Sequence, residues 1–218
     1  MMELICQGME EDLCNLVLPC LESAAQSLDL AADFLSFTVV GDDFPDAPEP
    51  WLRLEESNDP DEPLIIGTLF CGEGFFCRSN GAANAIYPPV EVWDQAPAPG
   101  GANPFDKTSF SSSRTEIFLH HELLMAQDLV RGEIAPAAIA AGQVEAFSSL
   151  WAVVIDGRLS RMGLPGYSQA DRRSRFSRLF ACAGVLLPGH WQIFQSLWDG
   201  AVTNWKDVLA SIRHLPRL

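Results

Sequence analysis

The spacing of apolar positions changes period several times along this chain, and each change predicts an element. From Met9 to Leu28, the residues Leu13, Leu16, Val17, Cys20, Ala24 and Leu28 recur at three- and four-residue intervals, with Glu10, Glu11 and Asp12 in the first turn. That is an amphipathic helix with acids at its positive end. Pro19 removes one amide donor and is expected to kink the helix or split it. The period then drops. Phe34 to Val40 is aromatic and β-branched and stops at Gly41-Asp42-Asp43; Trp51–Glu55 alternates; Leu64–Phe70 is a continuous apolar run of the kind buried on both faces. An acidic turn separates the last two.

Residues 78–112 carry no sustained period. They are rich in Pro, Gly, Ala, Ser and Asn, with one strand-like island at Val90–Trp93. A connection of this length is either functional or disordered, and its place before the next helix suggests a lid or cleft edge. Much of residues 95–112 is expected to lack regular structure and to be mobile.

Beyond it the period is helical throughout. Ser113-Arg114-Thr115-Glu116 reads as a capping box opening a helix to Val130, with Gly132 as the stop. A second helix is expected from Gln143 to Met162, with Gly157 interrupting its stripe. A third is capped by Ser168-Gln169-Ala170-Asp171 and extends to Leu186. A short one follows Pro188-Gly189 to Trp198, and a last one is capped by Thr203 or Asn204. Trp191, Trp198 and Trp205 are expected in the core. The sum is an α+β fold: an N-terminal helix, a small sheet of three to four strands, then a mainly helical C-terminal half. Residues 1–218 read as a single domain, divided into a core at 1–131 and a helical extension at 132–218.

Composition narrows the class. The chain has 218 residues, 48% of them hydrophobic, enough for a sizeable core without disulfide or metal. Its formal charge of −15 opposes binding to nucleic acid or to an anionic membrane surface. No apolar run reaches a membrane-spanning length, and the N-terminus has acids where an export signal has bases. A cytoplasmic protein is the expectation. Residues 1–109 hold 20 acids and 3 bases; residues 110–218 hold 9 acids and 11 bases. The bases cluster at Arg172, Arg173, Arg175 and Arg178. They are read as a solvated helix face that offsets the acidic half, against which part of it should lie. Six cysteines, Cys6, Cys14, Cys20, Cys71, Cys77 and Cys182, match no zinc-binding spacing and are expected as free thiols.

One segment carries chemistry. Within Phe118–Asp128, positions 121, 125 and 128 share a helix face, which places His121, Met125 and Asp128 on one side, with Glu122 beside the histidine. A helix-borne metal site uses an imidazole, carboxylates nearby, and a glutamate as general base on metal-bound water. His121-Glu122-Leu123-Leu124-Met125 resembles the active helix of the zincin metallopeptidases, and the order of helix, strands and active helix resembles the minimal zincins. The resemblance implies Glu122 as the general base and His121 as the first zinc ligand. It points to Asp128 and Asp156 as the carboxylates that would complete the site. Met125 stands where the family has its second histidine, and a thioether is a poor ligand for zinc. His120 falls on the wrong side of the helix. Two functions follow: a zincin-like protein related to metal-dependent peptidases with an impaired or lost metal site, or a non-catalytic intracellular module that binds a peptide or protein through its acidic surface. Restoring the motif by Met125→His is expected to create or strengthen a zinc site.

Overall fold

The computed structural model describes residues 2–41, 49–57, 64–77, 110–181 and 185–215. It has the expected α+β composition, ordered β1 (Glu3–Gln7), α1 (Glu11–Ser27), β2 (Phe34–Gly41), β3 (Trp51–Glu56), β4 (Ile65–Cys71), α2 (Ser112–Val130), α3 (Val144–Met162), α4 (Gln169–Phe180), α5 (Pro188–Trp198) and α6 (Trp205–Ile212). Two compact units divide the chain. One comprises residues 1–24 and 34–118, the other residues 25–33 and 119–218.

In the first unit the strands form a four-stranded sheet in the order β1-β2-β4-β3. β1, β2 and β4 run parallel and β3 closes the edge antiparallel to β4. A parallel pair needs a crossover, and α1 supplies it between β1 and β2. β1 is an addition to the expected strands. Its five residues hold only Leu4, Ile5 and Cys6 as apolar positions, too few to establish a period. β4 departs from a strand buried on both faces: Gly67, Leu69 and Cys71 are buried and alternate with half-buried positions. Val17, Leu21, Phe34, Phe37, Val39, Leu69, Phe76 and Phe118 form the core of this unit. α1 continues through Pro19 as one helix instead of dividing there. Leu16, assigned to its apolar stripe by spacing, is exposed.

α2 begins at Ser112, one residue before the expected cap, so Ser113 lies inside the helix. The Ser111 carbonyl accepts the Thr115 amide and hydroxyl, and the Ser111 amide donates to the Phe76 carbonyl. Phe110 forms an antiparallel bridge with Cys77. The Val90–Trp93 island and nearly all of the 78–112 segment lie outside the described residues.

In the second unit α3 is the central element, touching α4, α5 and α6. An almost unbroken run from Phe147 to Leu159 is buried, because a helix enclosed on all sides has no solvent stripe to show. Gly157 does not interrupt it. A Cβ there would collide with the Trp198 backbone carbonyl, so glycine permits α5 to approach α3. α4 is capped as the sequence suggests: Ser168 accepts from the Asp171 amide and Asp171 accepts from the Ser168 amide. It ends at Phe180, short of Leu186. Asn204, not Thr203, caps α6. The tryptophans expected in the core sit at its margin, Trp191 being 37% exposed, while Phe194, Leu197 and Val208 fill the interior.

Candidate functional site

The second unit buries an unusual concentration of polar side chains. His121, Glu122, Gln127 and Asp128 on α2, Asp156 on α3 and Arg172 on α4 are all buried. A buried charge is tolerated only when it is paired and hydrogen-bonded, and the pairings divide these residues into separate groups.

The central group is His121, Asp156 and Arg172. His121 Nδ1 lies 3.1 Å from Asp156 Oδ1. The Arg172 Nε–H donates to Asp156 Oδ2. The other end of the guanidinium reaches the imidazole, with Nη2 at 3.2 Å from Nδ1 and 3.4 Å from Nε2. Donor and acceptor bookkeeping favours one arrangement: Nδ1–H donates to Asp156, and Nε2 offers its lone pair to Arg172. Tyr167 completes the enclosure. Its amide donates to Asp156 Oδ1 at 3.1 Å, its ring lies 4.4 Å below the guanidinium carbon, and its edge meets His121 at 5.3 Å between centroids. Burial alone would push the Asp156 carboxyl upward, but the hydrogen bond from His121 and the charge and hydrogen bond of Arg172 outweigh it and hold the group below the ordinary carboxylate value. A cavity of about 380 Å³ opens beside Asp156, lined also by Ser160, Leu164, Tyr167, Ser168 and Trp198.

Asp128 belongs to a second group. Arg158 Nη1 donates to both its oxygens, at 2.6 and 2.7 Å, and Trp151 Nε1 donates at 3.1 Å. Burial raises the Asp128 carboxyl above its ordinary value, and the charge and hydrogen bonds of Arg158 offset this only in part. Positions 121 and 128 do share a helix face. They are also two turns apart, roughly 10 Å along the axis, a span that one ion does not bridge. A third group occupies another side of α2: His120 Nε2 meets Ser27 Oγ at 2.9 Å, and Gln127 donates to the Leu28 carbonyl and to Asp33. The separation of His120 from His121 agrees with the 100° step between successive helix residues.

The structure thus brings His121 and Asp156 together as the sequence suggests, holds Asp128 apart from them, and buries Glu122 on the same helix. Met125, one turn beyond His121, is half-buried. Among the described residues, no group of three or more His, Cys, Asp or Glu side chains is arranged to hold a metal ion. The donor set beside His121 fits a guanidinium: both carboxylate oxygens and the imidazole already face Arg172 or one another.

Arg172 is the residue that sequence reasoning misplaces. Its neighbours suggest a solvated arginine face, yet it is 2% exposed, while Arg173 donates to Gln195 nearer the surface. A signal exists. Arg172, Phe176 and Phe180 are spaced i, i+4, i+8, and all three are buried, so Arg172 lies on the apolar stripe of α4.

The fold and site define an α+β protein with an arginine-bridged His–Asp pair at the heart of its helical unit. Compared with family models, curated proteins and solved structures, the chain finds no match in any of the three. Among the described residues, no helix is long and apolar enough to cross a membrane.

Proposed function

We propose that this chain is a zincin-like protein whose metal site has been lost, and that it acts by binding a peptide or protein partner through its acidic N-terminal half. The observation that carries the reading is the place of Arg172. A zinc ion bound at His121 and Asp156 would need the imidazole lone pair and a carboxylate oxygen that the guanidinium engages. A permanent cation on the side chain supplies the charge neutralisation that a metal would otherwise provide. With Met125 in place of a second imidazole and Asp128 taken by Arg158, zinc would lack the ligands to displace it. Glu122 then has no metal-bound water to deprotonate.

The acidic excess of residues 1–109 suits a partner rich in Lys and Arg, whose approach the field would accelerate. The test is direct. Full-length protein is incubated with zinc, desalted and assayed for bound metal and for hydrolysis of an unfolded protein substrate, beside Glu122→Ala. Substoichiometric zinc and equal background hydrolysis by both proteins are expected. Stoichiometric zinc retained by both, with activity lost only in Glu122→Ala, would establish a working metallopeptidase. Salt-sensitive binding of a Lys/Arg-rich peptide, read by fluorescence anisotropy, checks the second half of the proposal.

A further inference from the structure

We propose that two copies of this chain pair through the outer edge of β3, joining their sheets across a two-fold axis. Among the described residues β3 ends the sheet, so its outer side meets no further strand. The Ser57 amide donates to the Leu64 carbonyl at 2.9 Å, which continues the β3–β4 register past Glu56 and Ile65. In an antiparallel ladder, pairs that exchange both backbone bonds alternate with pairs that exchange none. Trp51, Arg53 and Glu55 therefore bond to β4, and Leu52, Leu54 and Glu56 turn their N–H and C=O groups outward. Trp51 lies flat against Phe70, 3.9 Å between ring centroids, and fixes the start of the strand on β4. An ordered edge of this kind is a template for another strand.

Charge selects both the occupant and the register. Antiparallel self-pairing must set the outward residues Leu52, Leu54 and Glu56 against one another. A two-fold axis at Arg53 would oppose two guanidinium groups, and one at Glu55 would oppose two carboxylates. An axis at Leu52 brings Pro50, which has no N–H, opposite Leu54, and one at Glu56 leaves most of β3 without β3 beside it. An axis at Leu54 sets Arg53 of each copy against Glu55 of the other. These pairs fall at the sites without backbone bonds, where facing side chains lie closest. Within one copy Arg53 Nη2 and Glu55 Oε1 are already 2.7 Å apart, and both side chains are exposed. Pairing would join the two ion pairs into one alternating cluster. On the opposite side of the strand, half-buried Leu54 would meet its own copy. Charges that served only to block the edge would need no such arrangement, whereas these carry opposite signs at self-complementary positions. The contact is a strand of six residues, and the −15 charge of each copy opposes association, so the dimer is a weak, concentration-dependent one. It depends on the sheet alone and not on the fate of the metal site.

Sedimentation equilibrium of the full-length protein over a range of concentrations, at about 0.15 M salt, should show a monomer–dimer equilibrium. Glu55→Arg places arginine against arginine at both sites, and Arg53→Glu places glutamate against glutamate. Each should raise the dimer dissociation constant about tenfold or more. Mixing the two variants restores opposite charges at both sites and should recover dimers containing one copy of each. Leu54→Pro removes an outward N–H without removing a bond to β4, and should leave the protein monomeric. Circular dichroism confirms that each variant is folded; Glu55→Arg and Arg53→Glu alter only exposed side chains, so the comparison survives if Leu54→Pro does not fold. Wild type that stays monomeric at every concentration, as an edge reserved for a different partner's strand would, overturns the proposal. So does dimerisation of either charge variant as tight as wild type, or a mixture of the two that remains monomeric.

Discussion

Replacing Arg172 with methionine tests the buried ion pair at its strongest point. Methionine keeps most of the length of the side chain and removes its charge, so packing beside Phe176 and Tyr167 changes little while Asp156 loses its cation. The side chains of Arg172 and Asp156 are 3% and 0% exposed, so solvent screens almost nothing. Removing one partner of such a pair leaves an uncompensated charge and costs roughly 3–5 kcal/mol. Asp156 would keep His121 and the Tyr167 amide, which places Arg172→Met near the lower end, about 3 kcal/mol. Asp156→Asn should cost a comparable amount, because it strands the guanidinium instead. The double variant should then lose less than the sum of the two, by about 1–3 kcal/mol. Urea unfolding followed by tryptophan fluorescence and circular dichroism gives all four corners of the cycle. A loss below about 1 kcal/mol for Arg172→Met, or strict additivity in the double variant, would mean that the guanidinium does not neutralise Asp156 and that the case for it displacing a metal fails.

Met125→His places an imidazole one turn from His121, but with Arg172 still engaged it should gain little zinc affinity. Met125→His combined with Arg172→Met should bind zinc in calorimetric titration, and equal weak binding by both variants would count against a metal-site ancestry. The Asp156 carboxyl is held low, so its contribution to stability is complete above the unfolded aspartate value of about 3.9 and is lost as pH falls through the lower folded value. The stability gap between wild type and Asp156→Asn should therefore be constant from neutral pH to about 5 and shrink below about 4; a gap that persists unchanged to about pH 2 would contradict the assignment. Gly157→Ala should destabilise by about 1–3 kcal/mol through collision with the Trp198 carbonyl. In an exposed helix the same change stabilises by about 1 kcal/mol, so the sign of the change in urea midpoint decides between the two.

Most elements are legible because their own residues specify them. β2 and β4 are rich in β-branched and aromatic residues, β3 alternates apolar and charged positions from Trp51, and α4 and α6 announce themselves through Ser168-Asp171 and Asn204. β1 is not legible, since five residues at an edge draw their order from pairing with β2 and not from a pattern of their own. Pro19 is easily over-read: one lost hydrogen bond does not divide a helix whose buried residues Val17, Cys20, Leu21 and Ala24 hold it on both sides. The site shows the same boundary between local and tertiary information. Helical spacing correctly places His121 and Asp128 on one face of α2, yet a face is a direction and not a distance. Asp156 and Arg172 come to His121 from 35 and 51 residues downstream, and only the meeting of α2, α3 and α4 selects them over Asp128. Arg172 is the sharpest case. Inspected with its neighbours Arg173, Arg175 and Arg178, it belongs to a cationic surface. Placed on the helix with Phe176 and Phe180, it belongs to the interior. The second reading requires a buried carboxylate to receive it, and Asp156 sits on a different helix. A charge on an apolar stripe therefore implies a counter-charge elsewhere in the sequence, and the apolar run of α3 has one acid in its interior to offer.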